Sequence, residues 1–278
     1  MSLADDFLNE LLDALNNDRL TLPTLPEVAL RIREAMDDPN ASAVKLAQVI
    51  GNDAALAARL IKVANSPLLR GRMVVDNLQS AITRLGMTFV RNLATGLAME
   101  QMFQATHELV DKRLRESWEH SIEVASISHV LATHYTRLKP DQATLAGLVH
   151  EIGILPILAC AEDTPELLAD EDTFNRIIDQ LHPKIGKAIL QAWDFPPELV
   201  EVPEGYLNLG RNSSGGPDYV DVVTVANLQS YAGTNHPLTS FDWSQVPAFG
   251  KLGLSPEVDV HTAEELSEDY EVAKQLLS

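Results

Sequence analysis

Ala146-Gly147-Leu148-Val149-His150-Glu151-Ile152-Gly153 sets a histidine beside a carboxylate inside a run of small and apolar residues. The apolar surroundings predict a helical segment buried in a core, where two ionisable side chains are costly unless they pair or bind something. Adjacent in sequence, the two can reach one divalent cation. Imidazole suits a transition metal and a carboxylate suits Mg, Mn or Fe.

Outward from this stretch the periodicity is helical. Phe7, Leu8, Leu11, Leu12 and Leu15 recur at i, i+3/i+4 spacing and predict an amphipathic opening helix. Leu22-Pro23-Thr24-Leu25-Pro26 stops it, because proline cannot continue a helix and biases the residue before it towards extended backbone. Pro26 is placed in the first turn of the next helix, which carries Val28, Ile32 and Met36 and ends near Asp37-Asp38-Pro39. Ser42 and Asp53 are read as N-caps of two short helices, and Asn77 or Asp76 as the cap of a third over 78–85 that Gly86 breaks. Helices are then expected over 89–102, 118–138, 142–152, 171–181 and 183–193. The β-branched stretch 220–231 is read as helix too, since Val222, Val225, Ala226 and Gln229 follow a helical step.

The chain of 278 residues is 45% hydrophobic and 22% charged, ordinary for a globular protein, with a formal charge of −19. That charge argues against nucleic acid and anionic membrane as partners, both of which need a Lys/Arg surface. It is unevenly spread: residues 201–278 hold twelve acids and three bases, residues 22–100 seven and nine. The single cysteine, Cys160, excludes an internal disulfide and is read as a buried thiol among Leu158, Ala159 and Ala161. The start, Met1 to Asp6, lacks the basic and apolar regions of a signal peptide, and the apolar run 143–160 is interrupted by His150, Glu151 and Pro156. A cytoplasmic location is expected.

Three further positions join the His150 pair. His120 lies in Trp118-Glu119-His120-Ser121, His182 heads the run His182-Pro183-Lys184-Ile185-Gly186, and Asn227 follows Ala226. Helices of a bundle can bring such residues to one point. The His150-Glu151 string resembles the His-Asp step of the HD superfamily of metal-dependent phosphohydrolases. That resemblance implies a ligand set of His120, His150, Glu151 and Asn227, with Glu151 and Asn227 each standing where the superfamily has Asp. The glutamate adds a methylene, which moves the carboxylate by about an ångström and suits octahedral Mg poorly. The amide lowers the formal ligand charge from −2 to −1. The paired histidines that HD-GYP phosphodiesterases carry after Trp-x-x-Pro are absent: Trp193-Asp194-Phe195-Pro196 is followed by Val202-Pro203-Glu204-Gly205-Tyr206-Leu207-Asn208. Taken singly, His120 and His150 also read as core histidines satisfied by helix partners, His182 as a helix N-terminal packing residue, and Asn227 as a buried hydrogen-bonding residue. His107, His129, His134, His236 and His261 receive no role.

The N-terminal half carries a more specific pattern. Leu22-Pro-Thr-Leu-Pro-Glu-Val-Ala-Leu30, Ile50-Gly-Asn-Asp-Ala-Ala-Leu-Ala-Ala-Arg-Leu60, Val63-Ala-Asn-Ser-Pro67 and Ala81-Ile-Thr-Arg-Leu-Gly86 resemble, in order and spacing, the HDOD family. This family of HD-related output domains is a degenerate branch of the HD superfamily. The likeness covers about 22–232. It implies an all-α fold with an N-terminal helical subdomain (1–110) and an HD-like multi-helix core (111–234); the Pro, Gly and acidic residues that accumulate from Asn235 mark an irregular acidic C-terminal extension (235–278) outside the likeness. It also implies a bacterial regulatory protein acting through contacts with signalling proteins, without catalysis, with oligomerisation left open. No cofactor is then required, and a divalent metal (Mg, Mn or Fe) would bind weakly. The alternatives are an HD-class phosphohydrolase acting on a phosphomonoester or phosphodiester, and a module that senses a nucleotide in the remnant pocket.

Overall fold

Helices, and no strand, make up the regular structure of residues 3–17, 19–69 and 73–278, the residues the computed structural model describes. The first two residues, on which part of the signal-peptide reading rests, lie outside them. The N-terminal half contains α1 (Leu3–Asn16), α2 (Glu27–Asp37), α3 (Ala43–Ile50), α4 (Ala54–Ala64), α5 (Leu78–Leu85) and α6 (Met87–Ala98). Their ends follow local chemistry. Ser42, Asp53 and Asn77 accept the backbone N–H groups of Lys45, Leu56 and Ser80 at 3.3, 3.0 and 2.8 Å. Gly86, at φ +86°, makes the turn between α5 and α6 that an L side chain would strain. Pro26 stands one residue before the first turn of α2, as its N-cap.

The second half holds the long α7 (Glu108–Tyr135), α8 (Pro140–Val149), α9 (Ile154–Ala161), α10 (Pro165–Ala169), α11 (Glu171–Ala192), α12 (Pro197–Val200), α13 (Val202–Gly205) and α14 (Tyr219–Ser230). After short turns come α15 (Pro247–Leu252) and α16 (Ser267–Leu277). α7 packs along α8, α14 and α16, and α8 also packs on α6, so α7 and α8 form the centre of the molecule. The two touch at backbone distance: a Cβ on Gly147 would lie 2.5 Å from the Cα of Ala125. One contiguous hydrophobic core extends from Phe7 to Leu277.

Four expectations need correction. α8 stops at Val149, so His150 is its C-cap and Glu151 lies in the turn before α9. That turn is pressed onto α11, where a Cβ on Gly153 would meet the His182 carbonyl oxygen at 2.0 Å. α11 is one helix, not two: Pro183 sits in its interior, and packing against α1, α9 and α13 carries the helix through the missing N–H. His182 is therefore a mid-helix residue. Cys160 is exposed because its place on α9 turns it outward, and its thiol is pushed above the usual value by partial burial and by Glu10 and Asp163. The acidic extension is irregular at first but ends in α16, whose Tyr270, Ala273 and Leu277 are buried. The apolar run Pro140–Ala161 is long enough to cross a membrane, yet 83% of its most apolar window is buried inside the protein.

Candidate metal site

Because α7 and α8 run together at backbone contact, the C-terminus of α8 arrives beside His120 on α7, and the two imidazole rings stand 5.3 Å apart. His150 is fully buried. Its Nδ1 lies 2.7 Å from the Gly147 carbonyl oxygen, and a carbonyl can only accept, so Nδ1 carries the proton. Nε2 is then a bare lone pair, and it has no hydrogen-bond partner. Burial lowers the imidazole to about 4, against the opposing pull of the Glu151 carboxylate, so the ring is neutral. A neutral imidazole whose far nitrogen is fixed by a carbonyl is the form in which histidine ligates metals.

Glu151 Oε1 stands 4.0 Å from both His150 Nε2 and His120 Nε2, and one ligand atom from each of the three residues falls within 4.8 Å of the others. The Ser117 hydroxyl donates to Oε2 at 3.1 Å, and burial, followed by the charge of the same carboxylate, holds the nearby Tyr206 phenol well above its usual value. Ligand bonds of about 2.0–2.2 Å put the donor atoms of a loaded site roughly 3 Å apart. The three groups thus fit one cation after an inward shift of about 1 Å.

Asn227 reaches the cluster but is occupied. Buried on α14, it offers Oδ1 to His120 Nε2 at 3.1 Å, and the amide oxygen accepts, so His120 Nε2 is the donor. For His120 to ligate through Nε2 it must carry its proton on Nδ1 instead. The Tyr231 ring stacks on His120 at 5.1 Å, with its hydroxyl 3.3 Å from the same nitrogen. The sequence-derived set of His120, His150, Glu151 and Asn227 is therefore assembled in space. His182 is only adjacent. Its Nε2 lies 3.4 Å from the Tyr206 hydroxyl, Nδ1 has no partner, and burial lowers it to about 3.

Sequence reasoning missed several neighbours. Ser117 lies one turn before His120 on the same face of α7, a spacing that could have flagged it. Tyr206, from the stretch where paired histidines are absent, packs its ring edge on His150 at 4.9 Å and fills the space between His150 and His182. Tyr231 stacks at 3.6 Å on His236, which therefore does have a place beside the site. Asp179 on α11 has a carboxyl raised by partial burial and by Glu151. His134 and His261, also without an assigned role, pair with Asp269 and Glu123 at 2.8 Å and fasten the tail.

The chain matches the HDOD domain over residues 22–205 and belongs to that family. It is 35% identical, over 100% of both chains and with a TM-score of 0.88, to a Shewanella amazonensis SB2B protein provisionally described as a metal-dependent phosphohydrolase. An HDOD domain protein of unknown function from Geobacter sulfurreducens shares 20% identity, with 98% of this chain and 97% of that one covered at a TM-score of 0.64. A Marinobacter aquaeolei VT8 protein, provisionally described as acting in signal transduction, shares 21% over 99% and 66% of the two chains, at 0.62. The last two similarities show the fold alone. An uncharacterized protein of Treponema pallidum (strain Nichols) is 22% identical over 221 residues, which are 74% of this chain and 42% of that protein. The chain thus spans less than half the length of that relative.

Proposed function

We propose that this HDOD protein is a cytoplasmic bacterial regulatory module that acts through contacts with signalling proteins and holds a divalent cation only weakly, without hydrolysing a phosphoester. The observation that carries this reading is how Asn227 is used: its oxygen holds His120 Nε2–H and adds no charge, so Glu151 is the one carboxylate among the four groups. A cation would be held by His150 Nε2, Glu151 and His120 Nε2 with the His120 proton moved to Nδ1, a set with two nitrogens and one oxygen that suits Mn or Fe better than Mg. When bound, such an ion lowers the pKa of its water and polarises a phosphate oxygen. With a formal ligand charge of −1 its retention, and hence that chemistry, is weak. The net charge of −19 supports protein partners over nucleic acid or an anionic membrane.

The bare buried Nε2 of His150 and the 35% identity to the Shewanella protein favour one second reading, an HD-class phosphohydrolase. Metal titration of the purified protein with Mn, followed by phosphate release from a panel of nucleotides and p-nitrophenyl phosphate, separates the two. Weak binding without turnover is expected, with turnover appearing only when Glu151→Asp and Asn227→Asp are combined. Metal-dependent turnover by the wild type that His150→Ala abolishes would establish the second reading instead.

A further inference from the structure

The metal site leaves Trp193-Asp194-Phe195-Pro196 without a task. In the fold this segment links α11 to α12 and forms one wall of a cavity of about 500 Å³, whose other walls come from α2, α6 and α8. That volume lies within the range of small-molecule sites. Asp194 is strained there: at φ +51° it is the one non-glycine residue with positive φ among the described residues. Strain of this kind collects at functional positions, although Asp tolerates it better than most side chains.

Two half-buried arginines face the cavity. Arg33 gives one N–H to the Trp193 carbonyl, and Arg91 gives Nε to Asn92 Oδ1 at 3.3 Å. Neither has a carboxylate within ion-pair distance among the described residues, although the chain carries forty acids. A guanidinium has five donors in a fork that matches phosphate, and most of these ten remain unspent. Beside them, Phe195 and Leu30 present apolar surface, and Leu30 is 37% exposed. The acids of the cavity, Glu34, Asp37 and Asp194, are all exposed and stand at its rim. They repel a ligand of high negative charge and can accept hydrogen bonds from sugar hydroxyls, as acidic residues do at ribose sites.

We infer that this cavity is a binding site for a nucleoside monophosphate, its phosphate on Arg33 and Arg91, its base against Phe195, and its ribose hydroxyls towards the rim acids. The site is separate from the metal site and does not depend on what that site binds. Its position has a consequence. A ligand here touches α2 and α6 on one side and Leu145 of α8 on the other, one and a half turns before His150, so binding would tie the N-terminal helices to the helix that carries the metal ligand.

The test is calorimetric titration of the full chain with AMP and GMP, with inorganic phosphate and adenosine as partial ligands. Either nucleotide should bind more tightly than both partial ligands. Arg33→Gln and Arg91→Gln should each weaken it about tenfold or more. Arg33→Lys and Arg91→Lys keep the charge, so folding is retained, but lose the fork and should also weaken binding. Phe195→Ala should weaken the nucleotide while sparing inorganic phosphate. Absence of binding by the wild type, or binding indifferent to both arginines, would each overturn the site.

Discussion

His120 and Glu123 lie one turn apart on α7, and each belongs to a histidine–glutamate pair, yet the two pairs are treated in opposite ways. Glu123 is saturated. His261 Nε2 donates to it at 2.8 Å, Lys274 Nζ at 2.6 Å, and the Tyr270 hydroxyl adds a third donor. Burial pushes its carboxyl up, but these three donors outweigh burial and hold it at about 2. Glu151, by contrast, receives the Ser117 hydroxyl at 3.1 Å, and His150 beside it keeps a buried nitrogen with no partner at all. Buried polar atoms are nearly always satisfied, so the first pair reads as a fastener and the second as a place held open for a ligand.

The largest expected effect tests the fastener. Glu123→Gln removes the charge that Lys274 and His261 share, and the cost should be about 2–3 kcal/mol in denaturant unfolding, with faster amide exchange along α16. Glu151→Gln should change stability by less than about 0.5 kcal/mol, since no cation depends on that carboxylate for its own burial. Equal losses would erase the distinction between the pairs.

Acidity gives the same contrast a sign. Glu123 is depressed from 4.5 to about 2 in the fold, so its contribution is fully present above pH 4.5 and is lost as pH falls through 2. His261 is raised, first by its bond to Glu123, so its contribution is fully present below 6.5 and is lost as pH rises through its folded value. The other groups around them agree: Asp259 accepts from His261 Nδ1 at 2.9 Å, and Lys274 stays charged throughout. Docking of α16 should therefore be firmest between about pH 4.5 and 6.5. Exchange protection of α16 that is flat from pH 3 to 8 would break this account.

The open pair is sharpened by metal binding. Asn227→Asp restores a second carboxylate beside His120 and should raise Mn affinity about tenfold or more, while His150→Ala should abolish it and His261→Ala should leave it alone. If Asn227→Asp has no effect, the Asn227–His120 hydrogen bond is not what limits the cation.

How much of this was legible depends on the range of the interactions involved. Ser42, Asp53, Asn77 and Gly86 act on their own backbone within a few residues, so the helix ends they set follow from local sequence. The adjacency of His150 and Glu151 and the family pattern around His120 and Asn227 likewise pointed to one site. Long-range packing was not legible. Nothing local says that Pro183 would be carried inside α11 by its neighbours, or that the backbone contact at Gly153 would end α8 at Val149. Cys160 has apolar sequence neighbours, but exposure is decided by which face of α9 meets the core. Tyr206 and Tyr231 come from segments with no metal-site pattern, and only the tertiary fold sets their rings against His150 and His120.

Tyr231→Phe should have the smallest effect, and it asks whether the open pair is tuned by its aromatic neighbours. The Tyr231 ring is sandwiched between His120 and His236, and its hydroxyl lies 3.3 Å from a nitrogen that already donates to Asn227 at 3.1 Å. Burial pushes the phenol well above its usual value, so it is neutral and brings no charge to a cation. Removing the hydroxyl leaves the stack in place and deletes one long contact to a nitrogen with a better partner. Stability should shift by no more than about 0.5 kcal/mol and Mn affinity by less than about threefold. Tyr231→Ala, which also removes the ring from His120, should do more. If Tyr231→Phe alone abolished metal binding, the phenol would itself be a ligand, and the site would be built from two histidines, a glutamate and a tyrosine, with Asn227 only a brace.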